Sequence, residues 1–229
     1  NSATCPVCLG LPGTLPVLSP AAVALAVRAG AALQAQVQAR SVFARKNYVY
    51  PDLPRNYQIT QYEHPLCLGG HLTVAGTGGR DAPLTVRLER LHLEEDAGRT
   101  LIAAGGEVHV DLNRAGTPLI EIVTRPDLDS GTAAAEWLRR LRQVLLYIGV
   151  CDGNLAEGSL RCDANVGFAP RGRSVSEVAA ADRPAPAADP RGPWTELKNL
   201  NSLRAVARAI DHEIGRLCRR LARGRPLAR

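Results

Sequence analysis

The sequence predicts an α+β fold, an antiparallel sheet with flanking helices. Three observations predict it: short apolar alternations between residues 84 and 123, turn residues between them, and two later stretches with helical spacing, from 129 to 149 and from 203 onward.

The elements follow in chain order. Residues 1–18 read as a Gly/Pro-rich loop, after which Ser19 caps a helix with Pro20 at its first position, continuing to about Val37. Gly30 weakens that helix by about 1 kcal/mol relative to Ala, enough to bend or end it. From Phe43 to Gly79 the chain reads as loops and short strands, because Pro51 and Pro54 argue against a helix. Leu84, Val86 and Leu88 alternate, and the apolar parity then slips to Leu91 and Leu93. This predicts a bulge or break near Glu89–Arg90 and puts His92 and Glu94 on one face. Val108–Leu112 is a further strand, turned by Asn113–Thr117 into Pro118–Val123.

The clearest helix is capped by Asp129 or Ser130, carries Trp137, Leu138, Leu141, Val144, Leu145 and Ile148 on one stripe, and closes at Gly149. Residues 157–166 read as a turn into a strand, and the Pro/Ala/Arg-rich stretch 169–193 as a disordered insert. The last helix carries Leu203, Val206, Ile210, Ile214, Leu217 and Leu221 on one face and arginines on the other.

At 229 residues the chain can bury one sizeable core, or one core and a small satellite. No run of eighteen apolar residues occurs, and the start lacks the pattern of a signal peptide. The chain contains no Met, so it is expected to begin inside a longer product or to have been processed. Its net charge of +6 is local, since residues 204–229 hold eight arginines against Asp211 and Glu213 and the remainder is balanced. Phosphate contacts by Arg216, Arg219, Arg220, Arg223 and Arg225 are the corresponding expectation, weak and salt-dependent. The alternative is a merely solvated face.

Glu121 is the residue that most invites a chemical reading. It interrupts the apolar run Pro118–Val123, which reads as a strand buried on both faces, where an unpaired carboxylate costs several kcal/mol, about the desolvation penalty of a buried ion. A divalent cation shared with a carboxylate of His92–Asp96 would compensate the charge, and so would an ion pair with Arg114 or Arg125. Lys46, among Arg45, Tyr48, Tyr50 and Asp52, has the surroundings of a phosphate contact or of a solvated loop. Lys198–Ser202 could donate to an anion at the following helix or simply cap it. Cys5 and Cys8 form half of a tetrahedral zinc site without a second close pair; the alternative is reduced thiols. No P-loop, dinucleotide fingerprint, nucleophile elbow or H-E-x-x-H occurs, and the five dispersed histidines do not suggest a histidine cage.

Several strings together resemble GatB, the B subunit of the aspartyl/glutamyl-tRNA amidotransferases. They are Cys5–Val17, Arg45–Pro54, Tyr57–Gln61, His92–Gly98, Asn113–Ile122, Asp152–Asn154, Glu157–Val166 and Glu196–Ser202, in the family's order. The resemblance implies a cradle domain over residues 1–202, similar to the glutamine synthetase catalytic fold and incomplete at its N-terminus, with 203–229 leading to a missing C-terminal domain. It implies ATP- and Mg²⁺-dependent phosphorylation of the Glu or Asp side chain on misacylated tRNA. Amidation then follows, by ammonia from a partner amidase, the A subunit, with a small C subunit as further partner. By the same resemblance Lys46, Asp163 and Lys198 are catalytic, Lys46, Tyr48, Arg161 and Asn199 contact the nucleotide, and Glu94, Glu95 and Glu121 hold Mg²⁺. His92 is read as structural. Cys5 and Cys8 would bind Zn²⁺ only with an upstream Cys-x-Cys, and the metal site would need an upstream Glu-x-His; the chain starts after both. The implied compartment is the bacterial cytoplasm or an organellar matrix, with no membrane. Two rival readings remain: a non-catalytic RNA-binding or scaffold fragment, and a glutamine synthetase-like ligase for a small substrate.

Overall fold

A computed structural model describes residues 1–76, 82–168 and 194–224. The stretch 169–193, expected to be disordered, lies outside the described residues, as does Arg225. The chain divides into two compact units, one holding Asn1–Gly70 and Leu88–Val123, the other His71–Arg87 and Thr124–Arg229. This division differs from the boundary at residue 202 drawn from the sequence.

The first unit begins with helix α1, Pro20–Ala32, whose cap is the Ser19 hydroxyl accepting from Ala22 N at 3.4 Å. The helix stops five residues short of Val37, because Gln36–Val37 is taken as strand β1 by an antiparallel pairing with strand β4, Cys67–Leu68. Gln34, with φ +57°, makes the turn. Gly30 permits the helix to sit on that strand, since a Cβ there would lie 2.5 Å from Cys67 Sγ. Ala26, Ala29, Leu33, Cys67 and Leu91 are fully buried around this contact. Two hairpin ladders complete the unit: β2 (Ala44–Asn47) with β3 (Tyr57–Thr60), and β7 (Arg99–Ile102) with β8 (Val108–Asp111), both antiparallel.

Strand β6, Leu84–Glu95, runs unbroken through the expected break at Glu89–Arg90. The slip in apolar parity instead marks a change of partner. Strand β5, His71–Val74, pairs with β6 as far as Arg87, and β4 pairs from Arg90 onward. Between them Leu88 N donates to Gly70 O at 2.9 Å and Gly69 N to Glu89 O at 3.2 Å, so no backbone group needs a bulge. Strand β9, Pro118–Thr124, also pairs with β6, but each of its residues is exposed or only half-buried. The double burial expected for this strand is therefore absent: Glu121 keeps 48% of its side chain accessible.

The second unit is built on helices α2, Gly131–Tyr147, and α3, Leu203–Ala222. Their caps are serines: Ser130 Oγ accepts from Ala133 N at 3.3 Å, and Ser202 Oγ from Ala205 N at 3.1 Å. Ser130, not Asp129, thus caps α2, and Gly149, with φ +66°, closes it as read. The helices meet at Gly131, where a Cβ would lie 2.1 Å from Ala207 O, and Gly131 N donates to Asp211 Oδ1 at 2.7 Å. Arg216, grouped above with the phosphate-contacting arginines, is instead held in a bidentate pair with buried Glu213, at 2.6 and 2.7 Å. Strands β10, Ala164–Gly167, and β11, Trp194–Leu197, form an antiparallel ladder beside α3.

Asp127 closes this unit onto β6. Its carboxylate accepts from Arg87 N, Nε and Nη2 at 2.9, 2.9 and 2.6 Å. Burial alone would raise its pKa, but the hydrogen bonds and charge of Arg87 outweigh that and hold it below the usual aspartate value. Asp127→Asn is expected to cost about 1–3 kcal/mol in denaturant unfolding at neutral pH. Because the folded pKa is depressed, the contribution is present above about pH 4 and lost as pH falls through the lower folded value, so variant and wild type should converge in acid. Gly131→Ala is expected to destabilise by about 1–3 kcal/mol, because backbone rather than a flexible side chain occupies the space.

Candidate metal centre

Alternation along β6 sorts its side chains into two sets, Leu91, Leu93 and Glu95 on one face and Arg90, His92 and Glu94 on the other. Glu95 is buried, and its carboxylate is committed to structure: it takes the Arg55 guanidinium and Ile59 N at 2.8 Å, while its backbone carbonyl accepts from Gln58 Nε2 at 2.7 Å. Of the two neighbouring acids, Glu95 is held by an ion pair with Arg55 on the opposite face from Glu94.

Glu94 and Glu121 lie on the side of His92, which is 2% exposed. His92 Nε2 stands 3.4 Å from Glu121 Oε2 and 3.8 Å from Glu94 Oε2, and one ligand atom from each residue lies within 4.8 Å of the others. Thr60 Oγ1 steadies Glu94 by donating to Oε2 at 3.1 Å. Burial works against a charged His92, but hydrogen bonds and attraction from Glu121 and Glu94 prevail and raise its pKa above the ordinary imidazole value. Glu121 is lowered, first by the His92 hydrogen bond and further by the charges of His92, Arg90 and Lys46. Arg114 does not pair with Glu121; it binds Ala97 O, Gly98 O and Asp96. Arg125 belongs to the second unit, near Asp127.

The donor set, one imidazole nitrogen and two carboxylates with one side open, fits a divalent ion that keeps water or phosphate oxygens at its other positions. Buried His92 Nδ1 has no hydrogen-bond partner among the described residues, which leaves Nε2 as the polar face of the ring. His92, read from sequence as structural, is therefore central to the cluster. The available signal was its position two residues before Glu94 on the same strand face.

Lys46 extends its ammonium 5.8 Å over the Tyr48 ring, and the Tyr48 phenol is raised in pKa by burial and by Asp52, Glu94, Asp96 and Glu95. Cys5 and Cys8 Sγ lie 3.5 Å apart, with Cys8 against Ala115 O, and among the described residues no third His, Cys or carboxylate joins them. The other expected residues, Arg161, Asp163, Lys198 and Asn199, belong to the second unit. There Lys198 Nζ lies 3.2 Å from Glu196 and 4.0 Å from Asp163, all three side chains being well exposed. The site residues expected from sequence thus divide between two units, and of those in the first unit Glu94 and Glu121 join the tight cluster with His92.

An α+β chain with this cluster matches over residues 1–227 the family described as the GatB/GatE catalytic domain, and it belongs to that family. It is 50% identical over 229 residues to the B subunit of aspartyl/glutamyl-tRNA(Asn/Gln) amidotransferase from Anaeromyxobacter dehalogenans strain 2CP-C, covering 99% of this chain and 44% of that relative. The proteins of the same name from Geobacter sulfurreducens and Myxococcus xanthus are each 49% identical, over 220 and 217 residues, covering 94% of this chain and 42% of theirs. The chain therefore spans less than half the length of these relatives.

The two acids should separate in a stability measurement. Arg55→Met strands the Glu95 carboxylate in the interior and is expected to cost about 3–5 kcal/mol in urea unfolding. Glu121→Gln, on a half-exposed group, is expected to change stability by less than about 1 kcal/mol.

Proposed function

We propose that this chain is the catalytic part of one subunit of a tRNA-dependent amidotransferase, which phosphorylates the Glu or Asp side chain carried by misacylated tRNA and converts it to the amide. Its partners in this reading are an amidase that supplies ammonia, a small third subunit, and the acylated tRNA; ATP is the phosphoryl donor. The observation that carries the reading is the convergence of His92, Glu94 and Glu121 on one face of β6 and β9, within the field of Lys46. Family membership and the names of the relatives support it. Among the described residues no helix is long and apolar enough to cross a membrane. The bacterial sources of the relatives favour a bacterial cytoplasmic setting over an organellar one.

In the first half-reaction an oxygen of the acyl carboxylate bonds to the γ-phosphorus while the bond to the β,γ-bridging oxygen breaks and ADP leaves. In the second, ammonia attacks the acyl carbon, phosphate departs and a proton is lost. Mg²⁺ held by Glu94, Glu121 and His92 would supply neutralising charge to the phosphate oxygens. Thr60 and His92 fix the direction of the two carboxylates, and Lys46 adds a positive charge beside them. Catalytic roles for Asp163 and Lys198, and nucleotide contacts for Arg161 and Asn199, are proposed on the family resemblance. Zn²⁺ at Cys5 and Cys8 is proposed only with further ligands.

The test uses the full-length protein in complex with its partners. Glu121→Gln is expected to lower formation of amidated tRNA by about 10²–10³-fold while glutamine hydrolysis by the amidase stays measurable. Amidation at the wild-type rate would end this assignment of the site.

A further inference from the structure

Two cations border the carboxylate cluster without an ion pair among the described residues. Lys46 lies over Tyr48, and the Arg90 guanidinium lies 5.5 Å over the Tyr62 ring. The charges of both act on Glu121. Arg55 and Arg114, by contrast, are committed to Glu95 and Asp96. Sequence reading gave Lys46 a phosphate role and gave Arg90 none.

Three features set Arg90 apart. It is on the cluster's face of an unbroken strand, two residues from His92, so its Cα lies about 6.6 Å from that of His92, within reach of a long side chain. Its Nε is buried and has no acceptor among the described residues, an arrangement that is costly unless a ligand supplies one. Its contact with Tyr62 holds the guanidinium by the ring face, which leaves the N–H fork available to an anion. A planar fork of donors matches the oxygens of a phosphoryl group better than a point charge does.

We propose that Arg90 is a phosphate-binding residue, whose guanidinium donates to non-bridging oxygens of the phosphoryl group in transit beside His92, Glu94 and Glu121. The proposal rests on the reading that this face carries phosphoryl transfer. During the transfer the acyl oxygen bonds to phosphorus as the bridging bond breaks and its electron pair leaves with ADP. Arg90 keeps its protons throughout and compensates charge on the oxygens that do not move.

The test is a calorimetric titration of the full-length complex, in Mg²⁺, with ADP and with the non-hydrolysable ATP analogue AMP-PNP. Arg90→Met is expected to weaken AMP-PNP binding by about 10- to 100-fold and ADP binding by less than about twofold. Arg90→Lys should fall between Met and wild type, and glutamine hydrolysis should persist in both variants. Equal weakening of the two nucleotides, or none, would overturn the role of Arg90, since a merely structural residue would not distinguish a γ-phosphate. Should Arg90→Met fail to fold, Arg90→Lys decides by the same ratio, and a ratio equal to that of wild type overturns the proposal. A wild-type complex that binds neither nucleotide would instead overturn the phosphoryl-transfer reading, and the role of Arg90 with it.

Discussion

The candidate site depends on one constraint, the strict alternation of side-chain direction along the twelve residues of β6. Glu94 and Glu95 are neighbours with opposite fates because consecutive residues cannot face the same way. A slip of one residue in register would place Glu95 beside Glu121 and Glu94 against Arg55. The buried Arg55–Glu95 pair works against such a slip, since a guanidinium and a carboxylate removed from water must find each other or incur a large desolvation cost. A contact outside the cluster thus sets which acid joins it.

The parts of the fold legible in the sequence were those set by local forces. The serine caps of α1, α2 and α3 could be read because a hydroxyl satisfies an amide three residues away, wherever the helix then packs. The stripe on α2 was legible for a similar reason, as Trp137, Leu138, Leu141 and Leu145 are all buried. What failed was set by distant partners. The end of α1 is fixed by a strand more than thirty residues on, and the continuity of β6 by an exchange of partners that the apolar pattern mistook for a break. Glu95 is claimed by a side chain forty residues earlier.

The premise that drew attention to Glu121, a strand buried on both faces, does not hold, yet Glu121 does lie beside Glu94. The buried member of the cluster is His92, so the electrostatic problem is that of an imidazole enclosed near two carboxylates. Composition also misplaced one charge, as Arg216 in the basic helix spends its donors on Glu213 beneath it.

The close approach of Gly30 to Cys67 carries a different consequence. With no accessible surface and a thiol pushed up in pKa by its burial, Cys67 is hidden from oxidants and alkylating reagents while α1 stays seated. The exposed Cys5 and Cys218 differ from it in this respect. The sulfur beneath Gly30 is thereby a natural clock for the helix: its rate of labelling counts how often α1 lifts from the sheet, without any dye or engineered probe.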